Sequence, residues 1–239
     1  MSEYDTGLVF TFDAFFFGLY PYFAFFTFVI GSAARYGYTQ YEWKTSSSQL
    51  LRKEGMRVGS NLFHIGIIVV LLGHFVGLLT PGFIYEIFIT PDTKQILAMC
   101  VGGFFGIMCF IGLSMLLYRR LFDIRIRVTS TYADIFVLLI LYIQLLLGLI
   151  SIYYSYVESF EETAGPHTML LTAQWARAIV TCTEGASWCM SEVSWIFKTH
   201  IILGLTLLFM FPFTRLIHIL SVPVFYVFRT GYQIVRVRS

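Results

Sequence analysis

Apolar positions in this chain neither alternate with polar ones nor recur as a narrow stripe; they run together. Five stretches, at residues 14–34, 61–80, 95–118, 133–157 and 195–217, are apolar nearly throughout. Each is long enough to supply the ~20 helical residues that cross a hydrocarbon core. In lipid the backbone has no water to bond, so it must satisfy its own N–H and C=O groups, and a helix does this within one segment. Membrane β-strands are about half as long and alternate in polarity, which none of these runs does. The pattern predicts an all-α integral membrane protein, a five-transmembrane-helix bundle.

The polar segments punctuate the runs. The connection 35–60 carries Ser46-Ser47-Ser48, placed to cap a short helix from about Gln49. The connection 158–193 is the longest, and its middle, Met169 to Val180, reads as a short helix on the membrane surface. The tail 219–239 mixes Val, Phe and Tyr with Arg beyond a break at Pro223, a composition suited to the interface or to a cytoplasmic partner. No linker or repeat divides the chain, so residues 1–239 read as one domain.

Composition agrees. Charged residues are 13% of the chain, against about 25% in soluble domains. The net charge of +2 gives no reason to expect nucleic acid. The distribution of charge says more. Arg35, Lys44, Arg52, Lys53 and Arg57 follow the first run. Arg119, Arg120, Arg125 and Arg127 follow the third, and Arg215, Arg229, Arg236 and Arg238 the fifth. The positive-inside rule puts these segments in the cytoplasm, with the N-terminus outside and the C-terminus cytoplasmic. The leader Ser2-Glu3-Tyr4-Asp5 is acidic, unlike a signal peptide, so the first run is expected to stay in the mature protein. Cys100 and Cys109 read as packing residues, whereas Cys182 and Cys189, on the outer side, leave a disulfide open.

Five histidines carry the candidate chemistry. His64 and His74 lie on the second run, His200 and His218 at the two ends of the fifth, and His167 in the outer connection. Ionisable groups within a membrane mark function by default, and neutral imidazole is an axial ligand for haem iron that brings no fixed charge into lipid. At 100° per residue, the 18 positions from His200 to His218 make five full turns, so both share a face. The ten from His64 to His74 leave those two about 80° apart. Antiparallel runs then pair His74 with His200 and His64 with His218, giving two b-type haems stacked between spans two and five. The rises are unequal, about 15 Å against 27 Å, so helix tilt, or a His218 beyond the regular helix, must absorb the difference. Gly66, Gly73, Gly77 and Gly204 flank the ligands and suit either a flat macrocycle or close helix packing. Packed histidines, a zinc or copper site and a proton relay are the competing explanations. The relay lacks membrane acids, Asp134 being the only one read near a span. Arg215, three residues before His218, is positioned either to meet a haem propionate or to anchor the membrane edge.

Several uninterrupted runs then acquire a meaning. Ser60-Asn61-Leu62-Phe63-His64-Ile65-Gly66, Gly73-His74-Phe75 with Leu79-Thr80-Pro81, Arg119-Arg120-Leu121-Phe122, and Phe211-Pro212-Phe213-Thr214-Arg215-Leu216-Ile217-His218 with Ser221-Val222-Pro223 carry a close resemblance to the gamma subunit of respiratory nitrate reductase, a dihaem cytochrome b anchor. It covers nearly the whole chain. The resemblance implies haem ligands at His64, His74, His200 and His218, and a quinol site beside the outer haem. Lys94 matches a basic position of that site, with Gly73 as part of its wall. It implies that quinol is oxidised near the outer haem and that electrons pass by the second haem to a cytoplasmic iron–sulfur subunit and a molybdenum catalytic subunit reducing nitrate. The chain departs from the family at its longer N-terminus and around Cys182-Thr183-Glu184 and Trp188-Cys189-Met190. His167 matches no family ligand and reads as a surface residue. Other readings keep the haems in a nitrite-oxidising or different oxidoreductase complex, or drop them for a cofactor-free transporter or passive anchor. Five spans without an inverted repeat argue against a transporter.

Overall fold

The computed structural model describes residues 12–39, 55–159 and 167–221, and all regular structure among them is helical. The first apolar run opens with a π-helical turn, Ala14–Leu19, and continues as α1, Tyr20–Thr39. There follow α2, Met56–Leu79, a short α3, Gly82–Tyr85, and α4, Pro91–Phe122. Next come α5, Ile124–Val128, α6, Tyr132–Glu158, and α7, His167–Val180. A 3₁₀ turn, Ala186–Met190, precedes α8, Trp195–Met210, which passes into 3₁₀ turns at Phe211–Phe213 and Arg215–Ser221. Five of the helical segments are long and apolar enough to cross a membrane.

Local chemistry explains where the helices extend past their apolar runs. At the start of α4, Thr90 Oγ1 accepts the Thr93 N–H, and Pro91 stands where its missing N–H costs nothing. Asp92 in the first turn, with Arg119 and Arg120 in the last, complements the helix dipole. A capping box opens α6: Thr131 Oγ1 accepts the Asp134 N–H, and the Asp134 carboxylate accepts the Thr131 N–H at 2.8 Å. The fifth run differs from expectation. Its apolar sequence reaches residue 217, but α-helix stops at Met210, because Pro212 removes a backbone donor and crowds the preceding turn.

Helix α2 packs along α4, α4 on α6, α6 on α8 and α8 on α1. The two histidine-bearing helices, α2 and α8, are not a close-packed pair among the described residues. Glycines let α2 and α4 approach. A Cβ on Gly66 would lie 2.7 Å from Cys109 Cβ, and one on Gly112 would lie 2.7 Å from the Gly59 carbonyl oxygen. Gly66 therefore serves helix packing rather than a macrocycle, the small-residue contact typical of membrane helices. Outward faces are apolar: Phe26 of α1, Phe75 of α2 and Phe104 of α4 are 64–66% exposed, a surface suited to lipid and not to water.

The helix expected from Met169 to Val180 is present as α7, and it seats an aromatic core. Phe17, Trp175, Ala186, Met190 and Val193 are buried together, and Trp175 donates its indole N–H to the Phe17 carbonyl at 2.8 Å. Beside them Lys198, only 5% exposed, donates to both carboxylate oxygens of Asp13 at 2.9 and 3.1 Å. Asp13 adjoins the first long helix, which corrects the reading of Asp134 as the only acid near a span. Cys182 and Cys189 are free thiols, and His167 is exposed beside Glu192 at 3.6 Å. The acidic leader, the Ser46–Ser48 cap, Pro223 and the tail beyond residue 221 lie outside the described residues.

Candidate functional site

The site is built from imidazoles. His64 and His74 stand on one continuous helix, so their ten-residue relation holds as expected. His200 and His218 do not share a helix: the first lies in α8 and the second in the 3₁₀ turn Arg215–Ser221. The expectation that 18 residues return these two to one face assumed unbroken α-helix, and the break at Phe211–Pro212 removes that assumption. The same break puts His218 beyond the regular helix, one of the two solutions that the unequal spacings allowed.

The rings of His74 and His200 meet, with centroids 6.1 Å apart and planes inclined by 35°. Two imidazoles facing one metal at about 2 Å each place their centroids ~6 Å apart. Hydrogen bonds orient the imidazole rings. His74 Nδ1 lies 2.8 Å from the Val70 carbonyl oxygen, and His64 Nδ1 lies 2.7 Å from that of Ser60. His218 Nδ1 is bonded to the Arg215 carbonyl oxygen. A carbonyl only accepts, so each Nδ1 carries the proton, and in the neutral ring Nε2 keeps the lone pair that binds a metal. Metal-binding histidines are held this way, their second nitrogen donating to a fixed acceptor.

His200 is oriented differently. Its ring rests on Gly148 of α6, where a Cβ would come within 3.1 Å of Cε1. Gln144, one turn earlier on α6, donates its amide to the His200 carbonyl at 3.1 Å and lies 3.5 Å from His200 Nε2. The fit is reciprocal, because Gly204 makes room for the Gln144 amide. His200 Nδ1 and Gln144 Oε1 are buried without hydrogen-bond partners among the described residues, an unmet demand that marks a polar site. Near His74, a Cβ on Gly73 or Gly77 would meet nothing within 4 Å among the described residues. Among the described residues no three His, Cys, Asp or Glu side chains converge, whereas a haem needs only two protein ligands. The residues present fit such a group.

A second cluster gathers at the C-terminal end of α2. Lys94 Nζ lies 3.8 Å above the Tyr85 ring centroid, buried and, among the described residues, without a hydrogen-bond acceptor. Gln95 beside it is buried and donates to Ser155 Oγ at 3.0 Å. Arg177 of α7 donates to the Thr80 carbonyl at 3.4 Å, tying that helix to the end of α2.

Arg215, expected near a propionate or at the membrane edge, is engaged by an acid: its Nε and Nη2 donate to the two oxygens of Asp134, which is 4% exposed. This pair leaves no local mark in the sequence, because 81 residues separate its members. Gln144 does leave one, an amide in the middle of an apolar run.

Residues 13–238 match the family model described as nitrate reductase gamma subunit. The chain is 49% identical to the respiratory nitrate reductase 1 gamma chain of Escherichia coli (strain K12), over 95% of this chain and 98% of the relative. It is 37% identical to the nitrate reductase gamma chain of Bacillus subtilis (strain 168), over 93% and 97%. It is 29% identical to the nitrate reductase-like protein NarX of Mycobacterium tuberculosis, over 87% of this chain but 32% of that longer protein. With near-complete coverage of gamma chains from two bacteria and the family pattern spanning all five long helices, this protein belongs to the nitrate reductase gamma subunit family.

Proposed function

We propose that this chain is the membrane electron-transfer subunit of a quinol-dependent nitrate reductase. It would hold one b-type haem on His74 and His200 and another on His64 and His218. The observation that supports this most directly is the 6.1 Å approach of the His74 and His200 rings. Bound there, the haems would supply one-electron carriers between a two-electron quinol and a cytoplasmic iron–sulfur subunit serving a molybdenum catalytic subunit. The printed names of the relatives, gamma chains of nitrate reductases, support those partners.

The chain's own residues account for binding and orientation. Val70, Ser60 and Arg215 carbonyls hold three of the imidazoles through Nδ1, the orientation in which Nε2 is the ligating nitrogen. Lys94 Nζ lacks an acceptor among the described residues and is suited to donate a hydrogen bond to a quinol oxygen, with the Tyr85 ring face holding the ammonium. Gly73 leaves open backbone beside His74 for the quinol ring. Arg215, steadied by Asp134, keeps a cation three residues from His218 that a propionate can share. The positive-inside rule sets the N-terminus outside and the C-terminus in the cytoplasm. Quinol protons then leave on the outer side of the cell membrane while electrons move inward.

A reduced-minus-oxidised spectrum with haem quantified per polypeptide tests the reading. About two b-type haems are expected. A well-folded, cofactor-replete preparation without haem would restore the transporter and passive-anchor readings.

A further inference from the structure

The break after α8 is held by residues that carry no ligand. Where α-helix gives way at Phe211–Phe213, backbone carbonyls lose their helical partners, and in an apolar setting each needs a donor. Arg35 of α1 supplies it: its Nη1 donates to the Pro212 carbonyl at 2.6 Å and to the Thr214 carbonyl at 3.1 Å. One turn earlier on the same face of α1, Gly31 forms a notch. A Cβ there would lie 2.7 Å from Pro212 Cγ. Phe28, a further turn back, meets Phe211 edge to face at 5.0 Å. The break is thus seated on three positions of α1 spaced as one helical face.

The segment beyond the break is tied to a second helix. Thr214, buried at 5% exposure, donates Oγ1–H to the Phe211 carbonyl and accepts the Leu216 N–H at 3.3 Å. Arg215 sends its side chain to Asp134, which the capping box fixes at the start of α6. The carbonyl of the same Arg215 accepts the Nδ1–H of His218. A continuous path therefore runs from α6 through Asp134 and Arg215 to the ring of His218, while Arg35 and Gly31 of α1 fix the turn from which that path departs.

We propose that Arg35, Gly31 and Asp134 are positioning residues for His218, seating the helix break so that its imidazole meets the His64/His218 haem at a set height and angle. The inference rests on the dihaem reading. It predicts control over one haem and not the other, because none of the three residues contacts His74 or His200 in the network just described. Partners one shell behind a metal ligand typically change affinity about 10- to 100-fold.

The test uses the complete complex in native membranes. Arg35→Gln, Arg35→Lys, Gly31→Val and Asp134→Asn are compared with wild type by haem per polypeptide, midpoint potential and low-spin EPR signature. His74→Ala identifies the signals of the other haem. Arg35→Gln, Gly31→Val and Asp134→Asn should displace the potential and EPR signature of the His64/His218 haem, or lower haem content from about two to about one. The His74/His200 signals should stay in place, and Arg35→Lys, which keeps a charged donor on a long side chain where Gln has a shorter neutral one, should restore much of the wild-type signature. Unchanged signals for both haems in Arg35→Gln and Asp134→Asn would overturn the inference, as would equal disturbance of both haems. Should Asp134→Asn fail to accumulate, the Arg35 pair of variants decides the matter alone. Absence of haem from the wild-type complex would overturn the dihaem reading itself and this inference with it, a result distinct from loss confined to a variant.

Discussion

An imidazole whose Nδ1 donates to a carbonyl carries its lone pair on Nε2, the nitrogen that ligates a metal. His64, His74 and His218 are all in that state, and His200 meets His74 across a distance suited to a shared metal. Replacing His74 or His200 by Ala should lower b-type haem from about two to about one per polypeptide and block electron delivery from quinol. Quantified pyridine haemochrome and quinol-linked turnover check this, and two retained low-spin haems would refute the pairing. Lys94 carries a separate expectation. Its ammonium is buried against Tyr85 without an acceptor among the described residues, and a charge-assisted hydrogen bond contributes about 1.5–3 kcal/mol. Lys94→Ala should raise the KM for quinol by about tenfold or more while leaving both haem spectra intact. Unchanged turnover and inhibitor binding would remove Lys94 from the site. At this scale much was readable beforehand, because membrane histidines are rare and each must have a reason. The carbonyl, amide and carboxylate partners that orient them were not, since hydrogen bonds to backbone leave no mark in composition.

Among the helices, the long runs revealed number and approximate extent, and the ends were decided by caps. Thr90 with Pro91 lengthened α4, while Pro212 shortened α8. The role of the glycines was divided by tertiary contact alone. Gly66 and Gly112 lie at the α2–α4 contact, whereas Gly73 and Gly77 have open space about them. Gly112→Val should force these helices apart, because even a Cβ at that position would meet the Gly59 carbonyl oxygen at 2.7 Å. Overpacking of this kind costs about 1–3 kcal/mol. Thermal unfolding in detergent should show the loss, and Gly77→Ala, which meets nothing, serves as the control. An equal effect of both substitutions would assign the glycines to some property other than packing.

Over the whole molecule, packing proceeds from α2 through α4 and α6 to α8 and α1, and the Lys198–Asp13 pair joins the last long helix to the start of the first. Removing one member of a buried pair strands the other charge, at about 3–5 kcal/mol when both are fully buried. The Asp13 side chain is 27% exposed, so Lys198→Met should cost on the order of 2 kcal/mol. A lowered midpoint in detergent unfolding checks this, and Asp13→Asn combined with Lys198→Met should recover part of it. An unaltered midpoint in the single variant would mean that the pair contributes no net stability. The sequence by itself determined the class of solvent, the number of long helices and the residues able to ligate a metal. Length, polarity and residue type are local properties, and lipid penalises every local violation. Only the tertiary structure decided that Gln144 and Gly148 meet His200, which glycines admit a neighbouring helix, and how Arg35 and Asp134 reach the break before His218. These depend on contacts between positions as far apart as Arg35 and Thr214, and no local pattern records which distant side chain will fill a freed carbonyl or a buried charge.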